Sequence, residues 1–542
     1  MLPYLSEISS SRRLVQQFYG YSHTLHCPEG YFYDICDLSA EDFPALSTRK
    51  EFLRTDNLFS LEGITGKDKL AFVGNGTLYY DGEPIKAGLS PKSKQFVSMG
   101  AYLLIFPDKL CFNTYTGEVT ALEAAAPCAA VTVESKTFEG DVSYTKKWVR
   151  AKSAADLSAL FKAGDGIELA YTESGAEKTV TAVISAIGSE SGAYYCDLTA
   201  DTSAFENAES ITAVTLSRKV PDMDYFAECD NRVWGCSSAK HELYACKLGD
   251  PANWNCFAGL STDSYAVTVG SDGEFTGAVN YAGNVLFFKE GCIHKVYGTK
   301  PANFQITETV CRGIKKGSAA SAAVVGEILY YHAAEGIMAY GGSYPQLVSD
   351  AFGGEAYSEA KGGGRGSKYY VSLKRTSDGA EEAFCYDSSK QVWHKLSLSG
   401  VTGFADTRTA LYCAAGSALY FIDGSEPPAW KMPDPNGAKQ EWTEEPISAW
   451  YLESGDLAID LPDKKHISRI QLKLSAENGC TVKLQYDGGA FEKAAEVRVG
   501  TKQPVVVPII PRRCDRMKMR IEGSGRFSLL SAAYTVEQNS EK

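Results

Sequence analysis

Several things are scarce in this chain, and each scarcity excludes a class of protein. No hydrophobic run approaches the 18 or more residues of a membrane span. The opening "MLPYLSEISSSRRLVQQ" lacks the apolar stretch of a secretory signal, so no membrane partner is expected. Positive charge is in deficit: 54 Lys and Arg stand against 67 Asp and Glu, a net charge of −13. That excludes a protein that coats nucleic acid by neutralising phosphates, which needs a basic face. It leaves room for a conduit, whose acidic wall would keep DNA from sticking. The 15 cysteines include no C-x-x-C pair. Their odd count and irregular spacing fit reduced thiols packed as small apolar residues in a cytosolic setting. Helical periodicity is nearly absent, the one helix-like segment being "SAADLSALFKAG" (Ser153–Gly164).

What is abundant is tyrosine, phenylalanine and glycine, at 31, 24 and 50 residues, the composition of strands and tight turns. The stretch "TGAVNYAGNVLFFKEGCIHKVYGTKPANFQITETV" reads as four strands, Thr276–Tyr281, Val285–Lys289, Ile293–Tyr297 and Phe304–Val310, broken by Gly, Asn and Pro. The same grammar returns three times downstream. Anchored on second strands at Leu286, Leu329, Val371 and Tyr412, the units are 43, 42 and 41 residues apart. A four-strand period of about 40–45 residues is that of a β-propeller blade. "NRVWGCSSAKHELYACKL" (from Asn231) supplies part of another, so Trp234 and Tyr244 are expected to pack between blades. Two more lie upstream of residue 131.

From Leu104 to Val233 the gap is 129 residues; removing about 88 of them restores the period. The extra segment reads as a small barrel. The expectation is an all-β chain: a propeller of about seven blades, six to eight being admissible, formed by residues 1–131 and 221–430. Residues 132–220 form the inserted barrel-like domain with one helix, and 431–542 a C-terminal β-sandwich. "GYFYDICDLSAEDFPAL" (Gly30–Leu46) is expected to supply the strand that closes the ring.

Candidate chemistry is thin. Among seven histidines, only His23 and His26, next to Cys27, approach a metal cluster, and no third ligand or helical spacing supports one. His294, His332 and His394 fall in or beside blade strands and read as structural. "GGGRGS" (Gly362–Ser367) leads into a strand rather than a helix, so a flexible inter-blade loop is expected there, not a phosphate cradle. "GSDGEF" lacks the ligand spacing of a calcium loop. A propeller glycosidase would need converging carboxylates, for which Asp263, Asp272, Glu274 and Glu290 are candidates, but no sialidase-type S-x-D-x-G-x-x-W box is present. No catalytic residue, metal ligand or cofactor is assigned, and the chain is expected not to be an enzyme. Trp442, Trp450 and Tyr451 either stack a sugar or seal a domain junction. Within "PRRCDRMKMR" (Pro511–Arg520), strand alternation puts Arg516, Lys518 and Arg520 on one face. This is either a solvated strand face or a candidate docking stripe for an acidic partner or neighbouring subunit.

"NRVWG", then "ELYACKLGDPANW", "VLFFKEGCIHKVYG" and "CRGIKKGSAASAAVVGEILYYHAAEGIMAYGG" together resemble the bacteriophage tail nozzle propellers, also called tail tubular protein B or packaged-DNA stabilisation proteins. The resemblance covers about Tyr225 to Gly342 and rests on structural motifs, none of them catalytic. It implies a virion component at the head–tail junction or tail, assembled in the host cytoplasm. Its copies would form a ring, commonly of six, against portal, adaptor and other tail proteins. That ring would retain packaged double-stranded DNA and pass it without sequence-specific binding. The inserted barrel and the sandwich lie outside the resemblance. A receptor- or glycan-binding tail protein and a propeller glycoside hydrolase are the alternatives.

Overall fold

Strand-forming sequence and four-strand grammar give seven successive antiparallel sheets in the computed structural model. It describes residues 9–538 apart from 57, 59, 140–142, 191, 206–210, 434–437, 446, 448, 462–463, 499–503 and 511. The sheets span residues 61–87, 95–121, 225–268, 277–310, 323–347, 357–396 and 401–424, and are the blades of a β-propeller. All four anchor residues fall in second strands: Asn284–Lys289, Ile328–Ala333, Lys368–Arg375 and Ala410–Ala415. Second strands are almost wholly buried on both faces. They therefore read as unbroken apolar runs such as "VLFF" and "ALYCAA".

The chain divides into two units. One comprises Met1–Ala71, Asp81–Glu83 and Lys315–Lys542, the other Phe72–Tyr80 and Pro84–Ile314. In the second unit, the first strand of the blade at 95–121 lies beside that of the blade at 225–268, although an inserted domain separates them in sequence. Trp234 packs edge-on against Phe304 at 5.0 Å, and Tyr244 shares a core with Val97 and Leu104; both fill inter-blade space as expected.

In the first unit, the blade at 401–424 is completed by Leu53–Thr55. These residues pair with Leu419–Phe421 on one side and with Thr443–Glu444 on the other. The closing strand is thus not in Gly30–Leu46. Phe32–Cys36 instead pairs with Trp450–Ser454, and Leu46–Thr48 pairs with Phe527–Gln538, so both belong to the sandwich. The reason is burial: Phe32, Ile35, Leu38 and Leu46 enter the core that contains Trp450 and Leu472. The closing strand "LRT" is too short and polar to announce itself. Proline at Arg54, in a strand paired on both edges, should cost about 1–3 kcal/mol through the lost ladder hydrogen bond. A lowered thermal midpoint and new proteolytic cleavage near residue 54 would report it.

The sandwich consists of two sheets. One joins Phe32–Cys36 to Trp450–Ser454, Met517–Gly523, Cys480–Tyr486 and Glu492–Val497. The other joins Ser9–Val15 and the strands at 38–48 to Phe527–Gln538, His466–Ala476 and Val505–Val507. The N-terminal stretch is therefore divided between sandwich and propeller, a correction to the expectation for residues 1–131.

The inserted sheet has seven strands between Ala124 and Arg218, beginning eight residues before the expected boundary. Its two end strands, Ala124–Cys128 and Ala130–Phe138, follow each other directly in the chain. A sheet whose opposite edges are one residue apart must roll up, which makes it barrel-like. The expected helix is not formed. Ser153 ends the strand Tyr144–Ser153, and residues 154–164 are bends and turns that carry Leu157 and Phe161 into the barrel core. Asp156 and Asp165 accept backbone N–H groups from Ser158 and Lys162, and Gly164 sits at φ +89°, so local capping replaces a helical ladder.

The "GGGRGS" segment is also corrected. Gly362–Gly364 lie inside the strand Tyr357–Arg365, paired with Tyr369–Val371. First strands of adjacent blades approach too closely here for side chains. A Cβ on Gly363 would fall 2.4 Å from the Phe404 Cβ, and one on Gly364 2.1 Å from a Val325 methyl. Alanine at Gly363 should destabilise by about 1–3 kcal/mol through overpacking, read as a shift in the urea midpoint.

Candidate functional site

The segment from Arg232 to Trp254 forms a joint in the second unit. Arg232 is 2% exposed, and its guanidinium donates to the carbonyls of Cys246 (2.8 Å), Asp263 (2.6 Å) and Ser261 (2.9 Å). No carboxylate shares these bonds, and burial pushes its pKa below the usual arginine value. In "GDPANW", the Trp254 indole N–H donates to the Pro251 carbonyl at 2.8 Å, closing the turn over a buried ring.

Asn253, fully buried, accepts from the Gly166 N–H at 2.9 Å. Its amide donates to Asp165 Oδ1 at 2.9 Å and to Asp250 Oδ2 at 2.7 Å. Asp165, also fully buried, takes Arg218 at 2.8 Å on its other oxygen. Lys247 donates to the Gly164 carbonyl at 2.8 Å, and Lys162 pairs with Asp250 at 2.6 Å. The blade turn and the inserted barrel are thus locked together by one polar network, fully buried at Asn253 and Asp165. A Cβ on Gly166 would come within 2.4 Å of the Asn255 backbone, so the contact requires glycine. No pattern in the sequence ties Asn253 to residues 87 and 88 positions earlier.

The candidate stripe lies in the first unit. Arg516 precedes Met517–Gly523, where burial alternates as expected: Met517, Met519 and Ile521 face the core. Arg516, Lys518 and Arg520 share the other face, but their surroundings differ; Pro511, which opens the quoted segment, lies outside the described residues. Lys518 pairs with Glu453 at 3.2 Å and sits 3.4 Å over the Tyr33 ring. Arg520 pairs with Glu522 at 3.2 Å and lies 4.2 Å over Tyr451. The Arg516 side chain is exposed and has no partner among the described residues.

Arg516 and Lys518 line a cavity of about 460 Å³. Its other walls come from the loop His23–Cys27, Tyr33, the turn Gly353–Gly354, Gly455–Asp456, Gln485 and Gly488. His23 Nδ1 donates to the Tyr33 carbonyl at 3.0 Å, and its ring packs on Tyr33 at 4.1 Å. Cys27 is buried and its thiol is pushed up to about 11 by desolvation, so it is no nucleophile at neutral pH. Among the described residues, no group of three His, Cys, Asp or Glu side chains is placed to hold a metal ion.

The remaining candidates are tied into structure or stand apart. Asp263 is buried and accepts the Leu260 N–H at 2.9 Å, whereas Asp272, Glu274 and Glu290 are exposed. Trp450 is 1% exposed, stacks on Phe527 at 4.0 Å and donates to the Gly525 carbonyl. Trp442 packs on Trp430 and Tyr412, and the Tyr451 hydroxyl donates to Asp34 at 2.9 Å. These three rings fill structure rather than a sugar site. His332 donates or accepts at Ser318 Oγ, 2.9 Å away, and His394 Nε2 accepts the Ala40 N–H at 3.5 Å. Burial lowers both, His332 to about 4 and His394 to about 3, nearby lysines adding to the shift.

No family model matches the chain, and no curated protein matches it. Similar solved structures include an exo-β-1,3-galactanase from Phanerochaete chrysosporium, 8% identical over 57% of this chain and 94% of that one, with a TM-score of 0.20. Apo AztD from Citrobacter koseri is 11% identical over 85% and 99%, with a TM-score of 0.29. A glycoside hydrolase family 43 arabinoxylan arabinofuranohydrolase from Bacillus subtilis is 11% identical over 88% and 96%, with a TM-score of 0.18. Similarity of this degree says nothing about what this chain binds or does.

Proposed function

We propose that the chain is a structural virion protein of a bacteriophage head–tail junction or tail, and not an enzyme. Copies assemble as a homo-oligomeric ring that retains packaged DNA and conducts it during ejection, against portal, adaptor and other tail proteins. The observation that supports this reading is the use made of the motif residues through which the chain resembles the nozzle propellers. Arg232, Asp250, Asn253 and Trp254 are spent on backbone carbonyls, on a turn and on the barrel joint. Such a motif is scaffold, and a rigidly held inserted domain suits a subunit that must present fixed surfaces to its neighbours. The net charge of −13 suits a wall along which DNA slides.

Quantitative mass spectrometry of gradient-purified, DNA-filled particles tests it. A ring-forming component should be present at about six to twelve copies per particle relative to the capsid protein. Absence from intact particles overturns the proposal.

A further inference from the structure

The cavity beside the basic stripe has the polarity of a binding site for a particular chemistry. Its one aromatic ring is already engaged, since His23 packs on Tyr33 and the Lys518 ammonium lies over it. Recognition there must come from polar groups. Arg516 offers an exposed guanidinium whose forked N–H groups match a carboxylate, and it has no partner among the described residues.

Lys518 is held by Glu453 and the Thr24 hydroxyl by Ser22, and three other lining groups are placed to accept. Asp456, half-buried, makes no hydrogen bond or ion pair with a described residue. Gln485 donates its amide to the Gly489 carbonyl at 2.7 Å, leaving Oε1 to accept. His23 must donate from Nδ1 to a carbonyl, so its neutral form presents an unprotonated Nε2. Three acceptors beside one free guanidinium call for a ligand with several hydroxyls and a single anionic group. A phosphate would bring a second negative charge towards Asp456. Gly354 and Gly488, with open space where a Cβ would stand, let a ring approach the backbone, and the 87% exposed Leu25 offers an apolar contact. A cavity of about 460 Å³ has room for a mono- or disaccharide.

We infer that this cleft binds a carboxylate-bearing sugar residue, Arg516 taking the carboxylate while Asp456, Gln485 and His23 accept from hydroxyls. The inference stands apart from the ring assignment, because it concerns a cleft outside the family-like motif.

The test is titration of the full chain with sodium glucuronate and sodium N-acetylneuraminate at fixed ionic strength, followed by saturation-transfer difference NMR. Glucose and inorganic phosphate serve as comparators. At least one acid should bind with an affinity near the millimolar range, with glucose and phosphate at least about tenfold weaker. Arg516→Ala should weaken the acid about tenfold or more, and Asp456→Ala should also weaken it, while the thermal midpoint of each variant stays at that of the parent. Arg516→Lys, which keeps the charge but loses the fork, should fall between, and it replaces the alanine variant if that one does not fold. Failure of both acids to bind at about 50 mM overturns the inference. So does binding that survives Arg516→Ala, or equal competition by phosphate.

Discussion

Replacing Asn253 with aspartate should lower the unfolding free energy by about 3–5 kcal/mol. The substitution adds no bulk. It converts a donor 2.9 Å from Asp165 and 2.7 Å from Asp250 into a third carboxylate, where Asn253 and Asp165 are both fully buried. Arg218 and Lys162 already answer one carboxylate each and cannot balance another. Asn253→Ala should cost less, about 2–3 kcal/mol, because it leaves Asp165 and the Gly166 N–H short of a partner without adding charge. Urea titration followed by tryptophan fluorescence reports it directly, since Trp254 adjoins the site. The aspartate variant should also recover stability as pH falls through the carboxylate range, which the alanine variant should not. A parent-like midpoint for Asn253→Asp would show that the blade turn and the barrel are not joined through this network.

The second large effect is with pH. His332 and His394 are held neutral, with folded values of about 4 and about 3 against an ordinary 6.5, and burial also lowers His294. Between those values the unfolded chain binds more protons than the folded one, so stability rises with pH. It is fully present above the unfolded value and is lost progressively as pH falls below about 6.5, until the folded values are reached. Between pH 7.5 and 5, each of His332 and His394 should remove about 2 kcal/mol. Urea midpoints at the two pH values measure the sum. His332→Gln should flatten the dependence by the share of one histidine, because it keeps a polar partner for Ser318 and cannot gain a proton. A slope unchanged by that substitution would mean that acid loss comes from the carboxylates.

Much of the scaffold was legible because blades are made of local hairpins. The strands at 277–310 were readable to within one residue, since each turn carries its own glycine or asparagine and each second strand its own apolar run. Alternation likewise placed Arg516, Lys518 and Arg520 on one face. The errors share one cause, which is that distant segments override local signals. Leu157 and Phe161 have helical spacing, yet the barrel core takes them as turn residues. Three consecutive glycines suggest a loop, yet neighbouring blades leave room only for hydrogen in that strand.

By itself, then, the sequence determined the all-β class, the blade period and the presence of an insertion, because these depend on contacts a few residues apart. Only the tertiary structure decided which strand closes the last blade and that residues 32–48 belong to the sandwich. It alone brought Asn253 to Gly166 and set Arg516 beside Asp456 in one cleft. Those pairings lie tens to hundreds of residues apart along the chain, and they are chosen by burial and by hydrogen-bond satisfaction in the assembled core, which no local pattern encodes.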